Sequence, residues 1–212
     1  MEISFRLAIS SLTIGESAEV RHDGELLGAL SVVMPPNDPI DPKKDKQLGD
    51  ALYMAAPAPD GSVWGSVLGF PGAIVRLVPG DNPTETALAE RYEVPWNDPK
   101  NPDSGFSPRG ADITTDGVLW AVLASGHLAS FDRRKCKAPL NGPKATGDHC
   151  PEGWSFHKYP GPGFQGIGDN SAESSYYSWV DHHNTFGLGE DIPMSTANLM
   201  DGLVALNKDG KM

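Results

Sequence analysis

Arg109 and Asp112 bracket the start of a short strand in Pro108-Arg109-Gly110-Ala111-Asp112-Ile113. A guanidinium stays protonated at neutral pH, so it is a poor general base and a good clamp for carboxylate or phosphate. The two residues are read as ligand-binding, with a structural salt bridge as the alternative. His127 follows a Ser-Gly turn and is a third ligand-binding candidate, set against an ordinary surface histidine. Asp181 and His182 in WVDHHNTFG form a carboxylate–histidine metal candidate. His182 and His183 would not ligate one ion together without an irregular backbone, because adjacent side chains on a strand point to opposite faces. Asp98, Asn101 and Asp103 in NDPKNPDSGF offer oxygen ligands near a glycine, as calcium loops do, but their spacing departs from the 12-residue loop and no closing glutamate follows. The alternative is an Asn/Asp/Pro turn. The cofactor these residues suggest is a divalent ion, magnesium or calcium. No G-x-S-x-G, H-E-x-x-H, C-x-x-C or Gly-rich phosphate loop occurs, so no catalytic group is named.

Cys136 and Cys150 enclose CKAPLNGPKATGDHC, a stretch of turn formers with little else to hold it. A disulfide closing a loop of that size contributes roughly 3 kcal/mol in the chain-entropy model. The bond predicts an exported protein, periplasmic or secreted. Two free thiols are the alternative, and a zinc site with His149 is weaker, since two cysteines and one histidine fall short of a tetrahedral set. The amino terminus has an apolar stretch interrupted by Arg6, without the basic lead or the cleavage site of a signal peptide. Seventeen Lys and Arg against 28 Asp and Glu leave a net charge of −11. A broad phosphate-binding surface would work against that field, which argues against nucleic acid and anionic membrane as partners. No apolar run approaches the roughly 18–20 residues of a membrane span.

The elements that position these residues are short strands. The 212 residues include 24 glycines and 19 prolines, too many turn formers for long helices. Ala58-Pro59-Asp60-Gly61-Ser62-Val63-Trp64 returns in form 56 positions later as Thr114-Thr115-Asp116-Gly117-Val118-Leu119-Trp120. A strand precedes each Asp-Gly turn, at 51–56 and 110–114. A glycine turn then leads to a third strand, 72–77 and 127–132, and a polar loop leads to an alternating fourth, 90–95 and 154–160. Four short strands per unit at such a period is the sequence form of a β-propeller blade, whose faces are buried by stacking on the next blade. The Trp of each second strand is expected to fill the wedge between blades. The fold class is therefore all-β, a partial propeller with about three recognisable blades; a β-sandwich with two similar hairpins is the alternative. The units run 50–96, 106–160 and an incomplete 174–212, in which 203–207 reads as a third strand. Residues 1–34 are a poorly matched β segment with a hairpin around 22–25, and 35–49 read as an exposed connection. Stretch 84–92 has helix formers between prolines but reads as a connection into the outer strand. Fewer than four periods fit into the length, so the chain reads as part of a ring whose remaining blades belong to the same or a longer protein.

The unit P-x-G-x-x-I-x-x-D-G-x-x-W, present as 108–120, resembles the blade motif of streptogramin lyase (virginiamycin B lyase) propellers. The run from about Asp41 to Leu206, with DGSVWGS, GDNPTETALAERYE, SGHLASFDRRKCKAPLNGP, HCPEGW and SYYSWVD, resembles a group of large exported bacterial propeller proteins, some labelled as carboxypeptidase-regulatory-like. The resemblance implies a central cavity and, in the lyases, a histidine and a glutamate around magnesium. Here the slot between proline and glycine holds Arg109, and the positions after the tryptophans, Gly65-Ser66-Val67 and Ala121-Val122-Leu123, supply no acid. The expected function is an exported propeller that binds a small molecule or glycan at the channel mouth, lyase-like by resemblance but without the lyase residues in this portion. The alternative is a non-catalytic module that binds protein or carbohydrate.

Overall fold

A computed structural model describes residues 17–22, 25–31, 52–81, 86–137, 139–142, 144–166 and 169–212. The two Asp-Gly turns fold as equivalent tight hairpin turns. Gly61 and Gly117 sit at φ 80° and 86°, in the left-handed region that glycine enters without steric penalty. Their amides bond the carbonyls of Ala58 at 3.0 Å and Thr114 at 2.9 Å. Each turn joins the first two strands of a four-stranded antiparallel sheet in which sequential strands are neighbours. The first sheet is β3 (Leu52–Pro57), β4 (Val63–Val67), β5 (Ala73–Val78) and β6 (Leu88–Glu93). The second is β7 (Pro108–Ile113), β8 (Leu119–Leu123), β9 (His127–Phe131) and β10 (Trp154–Lys158). A third sheet has three strands, β11 (Ser178–Asp181), β12 (Ile192–Ala197) and β13 (Gly202–Ala205). Earlier in the chain, β1 (Ser17–His22) and β2 (Glu25–Ser31) pair antiparallel with His22 opposite Glu25, as the hairpin around 22–25 predicts. The connection expected at 35–49 lies outside the described residues. From Leu88 onward, the stretch with helix formers is strand β6.

The three large sheets are stacked. One apolar cluster joins Trp64, Ile74, Tyr92 and Val94 of the first sheet and its exit to Ile113, Leu119, Leu123 and Phe131 of the second. Trp64 is 3% exposed, with its ring centroid 6.1 Å from that of Tyr92 and 5.9 Å from that of Phe131. A second cluster joins Val122, Leu128 and Tyr159 to Ala197, Val204 and Leu206, with Trp120 packed against it. Strand β8 therefore serves two layers. Leu119, Ala121 and Leu123 face the first sheet and Val122 the third, as the two-residue period of a strand requires. Both repeat tryptophans fill the space between neighbouring sheets.

The first strands of successive sheets also meet, β3 against β7 and β7 against β11. Gly110 is where β7 approaches the chain entering β11. Its amide bonds the Tyr176 carbonyl at 2.9 Å, and its own carbonyl accepts from Ser178 Oγ at 2.8 Å. A Cβ at this position would lie 2.6 Å from the Tyr176 oxygen, 2.8 Å from Tyr177 Cα and 3.0 Å from Ser178 N, all backbone atoms that cannot rotate away. The glycine of the P-x-G motif thus marks a close approach of two strands. Gly110→Ala is expected to destabilise by about 1–3 kcal/mol, the range for overpacking a close contact. An unchanged denaturation midpoint would show that the two strands do not depend on this contact.

Candidate functional site

In β3 and β7 the register slips by one residue, between Leu52 and Met54 and between Pro108 and Ala111. Such bulges re-aim a side chain. Ala56, Asp112 and Val180 pair with Trp64, Trp120 and Pro193, each the second residue of its sheet's second strand. Three residues before them stand Tyr53 and Arg109, at the bulges of β3 and β7, and Tyr177, just ahead of β11. Tyr53 and Tyr177 are 37% and 64% exposed, and Tyr176 beside them is 40% exposed.

Arg109 is half-buried and firmly held. Its carbonyl accepts from Ser66 Oγ of β4 at 2.5 Å. Its Nη1 donates to the Ser175 carbonyl at 3.0 Å and to Ser174 Oγ at 3.5 Å. The guanidinium carbon lies 4.2 Å from the centroid of the Tyr176 ring, a cation–π contact. The Tyr53 hydroxyl is raised above its ordinary 10.0 by burial first and then by the Tyr177 hydroxyl beside it, with Arg109 pulling the other way. One cation and three phenols thus share a surface at the end of the sheets that carries the 68–72 and 124–126 turns. At that end Phe70, Trp96 and Phe106 form a second aromatic group, with ring centroids 5.1–5.8 Å apart.

The other expected site residues are distributed elsewhere. Asp112 is engaged by the backbone: Oδ2 accepts from Val180 N at 2.8 Å and Oδ1 from Ile113 N at 2.9 Å, so its carboxylate ties β7 to β11. His127 is 3% exposed, so it is not a surface histidine. Its Nδ1 lies 3.0 Å from Ser125 Oγ and its ring stands edge-on to Phe156. Burial pushes its pKa below the usual 6.5, which leaves it neutral at pH 7. Asp181 and His182 turn to different partners. Asp181 accepts from the amides of Thr185 and Phe186 at 2.9 and 3.0 Å, whereas His182 Nδ1 lies 2.9 Å from Asp191, which also holds Thr115. Asp98 and Asn101 accept from the amides two residues ahead, and Asn101 Nδ2 donates to the Pro151 carbonyl at 2.8 Å, the pattern of a braced turn. Cys136 and Cys150 are disulfide-bonded and so are not thiolate ligands for zinc with His149, whose Nδ1 lies 3.1 Å from the Arg91 carbonyl.

Among the described residues no three His, Cys, Asp or Glu side chains converge to hold a metal ion. The Arg109 surface offers phenols and a cation rather than carboxylates, a donor set that does not fit magnesium or calcium. Also among the described residues, no helix is long and apolar enough to cross a membrane. Sequence reasoning missed Tyr53, Tyr176 and Tyr177. The only available signal was that Tyr53 precedes Arg109 by the same 56 positions that separate the Asp-Gly turns.

Fold and site define an all-β protein of consecutive antiparallel meander sheets, with three exposed tyrosines around a half-buried arginine where the first strands begin. No protein-family model, no curated protein and no solved structure matches the chain.

Proposed function

We propose that the three stacked sheets are successive blades of a β-propeller and that its channel mouth binds a small molecule or glycan. The observation that carries this reading is the recurrence of Tyr53, half-buried Arg109 and Tyr177 three residues before Ala56, Asp112 and Val180 at the start of three adjacent sheets, with Tyr53 beside Tyr177 and Arg109 against Tyr176. In a propeller the first strands line the channel, so residues at that position ring its entrance. Tyrosine suits the task, because a large rigid ring with a polar tip gives contact area at small entropic cost. The blade motif at 108–120 and its resemblance to streptogramin lyase propellers support the fold half of the proposal. In the slot where those lyases place a histidine, Arg109 makes this site one that holds a ligand rather than one that moves its protons.

The disulfide supports a protein working in an oxidising compartment, periplasmic or secreted. The face of the third sheet turned away from the second, where Leu203 is 56% exposed, suits contact with the remaining blades of the ring. The Phe70–Trp96–Phe106 group, with Phe70 and Trp96 exposed, favours a second reading, a non-catalytic module that holds protein or carbohydrate across the same face.

The test is saturation-transfer NMR of the full chain with a panel of oligosaccharides, followed by affinity measurements on Tyr177→Ala. Loss of that exposed ring is expected to weaken binding about tenfold, as truncation of an aromatic anchor does. It should leave the thermal midpoint nearly unchanged. Equal affinity of the variant for every saccharide bound would place the binding site elsewhere.

A further inference from the structure

Five arginines have described side chains, and four of them are paired with carboxylates. Arg76 lies 2.7 Å from Asp60 and 3.3 Å from Glu90, and Arg133 lies 2.6 Å from Glu90. Arg134 is held by Asp132 and Asp116, and Arg91 by Glu93. Arg109 has no carboxylate partner among the described residues, in a chain with 28 acidic residues against 17 basic ones. It is nonetheless oriented, with Nη1 tied to the Ser175 carbonyl and one face on Tyr176. Its Nε and Nη2 donate to no described residue. These two form the edge of a guanidinium that matches both oxygens of a carboxylate.

Resting on the reading of this surface as a glycan site, we propose that its ligand is an acidic saccharide whose carboxylate is received by the Nε–Nη2 edge of Arg109. The sugar rings then lie against Tyr53, Tyr176 and Tyr177. A phosphate presents the same oxygen geometry but carries up to two charges. Arg109 is the single cation of this group, and the net charge of −11 opposes a dianion. One fixed guanidinium matches a monoanion. The exposed rings supply flat apolar faces for the C–H side of a pyranose, and their hydroxyls reach its rim. Held in place before the ligand arrives, the guanidinium loses little freedom on binding.

Calorimetric titration of the full chain with trigalacturonate and trimannuronate, their methyl esters, neutral cellotriose and glucose 6-phosphate tests the assignment. At least one uronate is expected to bind at least tenfold more tightly than its ester. Arg109→Gln should remove that preference, and Arg109→Lys should restore only part of it, since an ammonium cannot make the paired contact. Equal binding of acid and ester, or a preference that survives Arg109→Gln, overturns the proposal. So does tighter binding of the sugar phosphate than of either uronate. Neutral and acidic saccharides that bind alike and are both lost in Tyr177→Ala would sink the acidic ligand and leave the glycan site standing. Absence of binding by every saccharide would sink both.

Discussion

Glu90→Ala is expected to destabilise the protein by about 3–5 kcal/mol, the cost of leaving buried charge unpaired. The Glu90 side chain is fully buried. One oxygen accepts from Arg133 Nε at 2.7 Å, Arg76 Nη1 at 3.3 Å and the Tyr92 hydroxyl at 2.8 Å. The other accepts from Arg133 Nη2 at 2.6 Å and from Asn141. Arg76 reaches on to Asp60 and Ser62. The carboxylate thus fastens the outer strand of the first sheet to the segment after β9 and to the disulfide loop. Removing it takes the described carboxylate partner from Arg133 and leaves nearly buried Arg76 with Asp60 alone. Replacement of the whole group by apolar residues of similar volume would be far less costly, because the desolvation penalty would go with the charges.

The same group predicts a pH dependence. Burial alone would push the Glu90 carboxyl up. Hydrogen bonds from Arg133 and Tyr92, with the charges of Arg133 and Arg76, outweigh it and hold the pKa below the ordinary 4.5. A lowered folded-state pKa means that the unfolded chain takes up the proton first as pH falls. The stabilisation is complete above about pH 4.5 and is lost as the pH drops through the lowered value. Urea midpoints measured from pH 7 down to pH 3 should therefore fall more steeply for the natural chain than for Glu90→Gln. Parallel profiles would mean that this carboxylate is not the group that titrates.

Loss of the Cys136–Cys150 bond in a double serine variant is expected to cost roughly 3 kcal/mol, from the entropy that a loop of this length regains in the unfolded state. The bond closes a separation of 14 residues between two short 3-10 turns, Arg133–Lys135 and Pro151–Gly153. Among the described residues few interactions beyond the bond hold the loop to the rest of the chain. Within it Asn141 reaches Glu90, His149 reaches the Arg91 carbonyl, and Asp148 pairs with Lys100 at 3.1 Å. Guanidinium denaturation of the variant, and of the natural chain with and without reductant, reads the effect; coincident midpoints would remove the bond from the account. The loop carries one of the partners of Glu90, so the two substitutions should combine to less than their sum.

Local chemistry was legible in the sequence. An Asp-Gly pair needs a positive φ at its glycine, and alternating apolar residues need a buried face. Those two requirements alone place the hairpins at 60–61 and 116–117 and the tryptophans that follow them. The disulfide was legible for the same reason, since so irregular a loop needs a staple. Asp112, Asp181 and His182 show the limit. Each belongs to a residue type with the right chemistry, and each is engaged by a neighbouring amide or side chain whose proximity no spacing in the chain reveals.

By itself the sequence determined the all-β class, the four-strand units of the first two sheets and the cysteine pair, because turn formation, strand alternation and loop closure depend on residues close in the chain. Only the tertiary structure decided that Arg109 lies among Tyr53, Tyr176 and Tyr177 with no carboxylate partner among the described residues, and that Glu90 gathers Arg133 and Asn141. Those groupings arise where separate sheets stack, where a single-residue bulge turns Tyr53 and Arg109, and where Gly110 admits a neighbouring backbone. Contacts between residues 43 or more positions apart, as Glu90 and Arg133 are, follow from how sheets pack against each other, which no local pattern encodes.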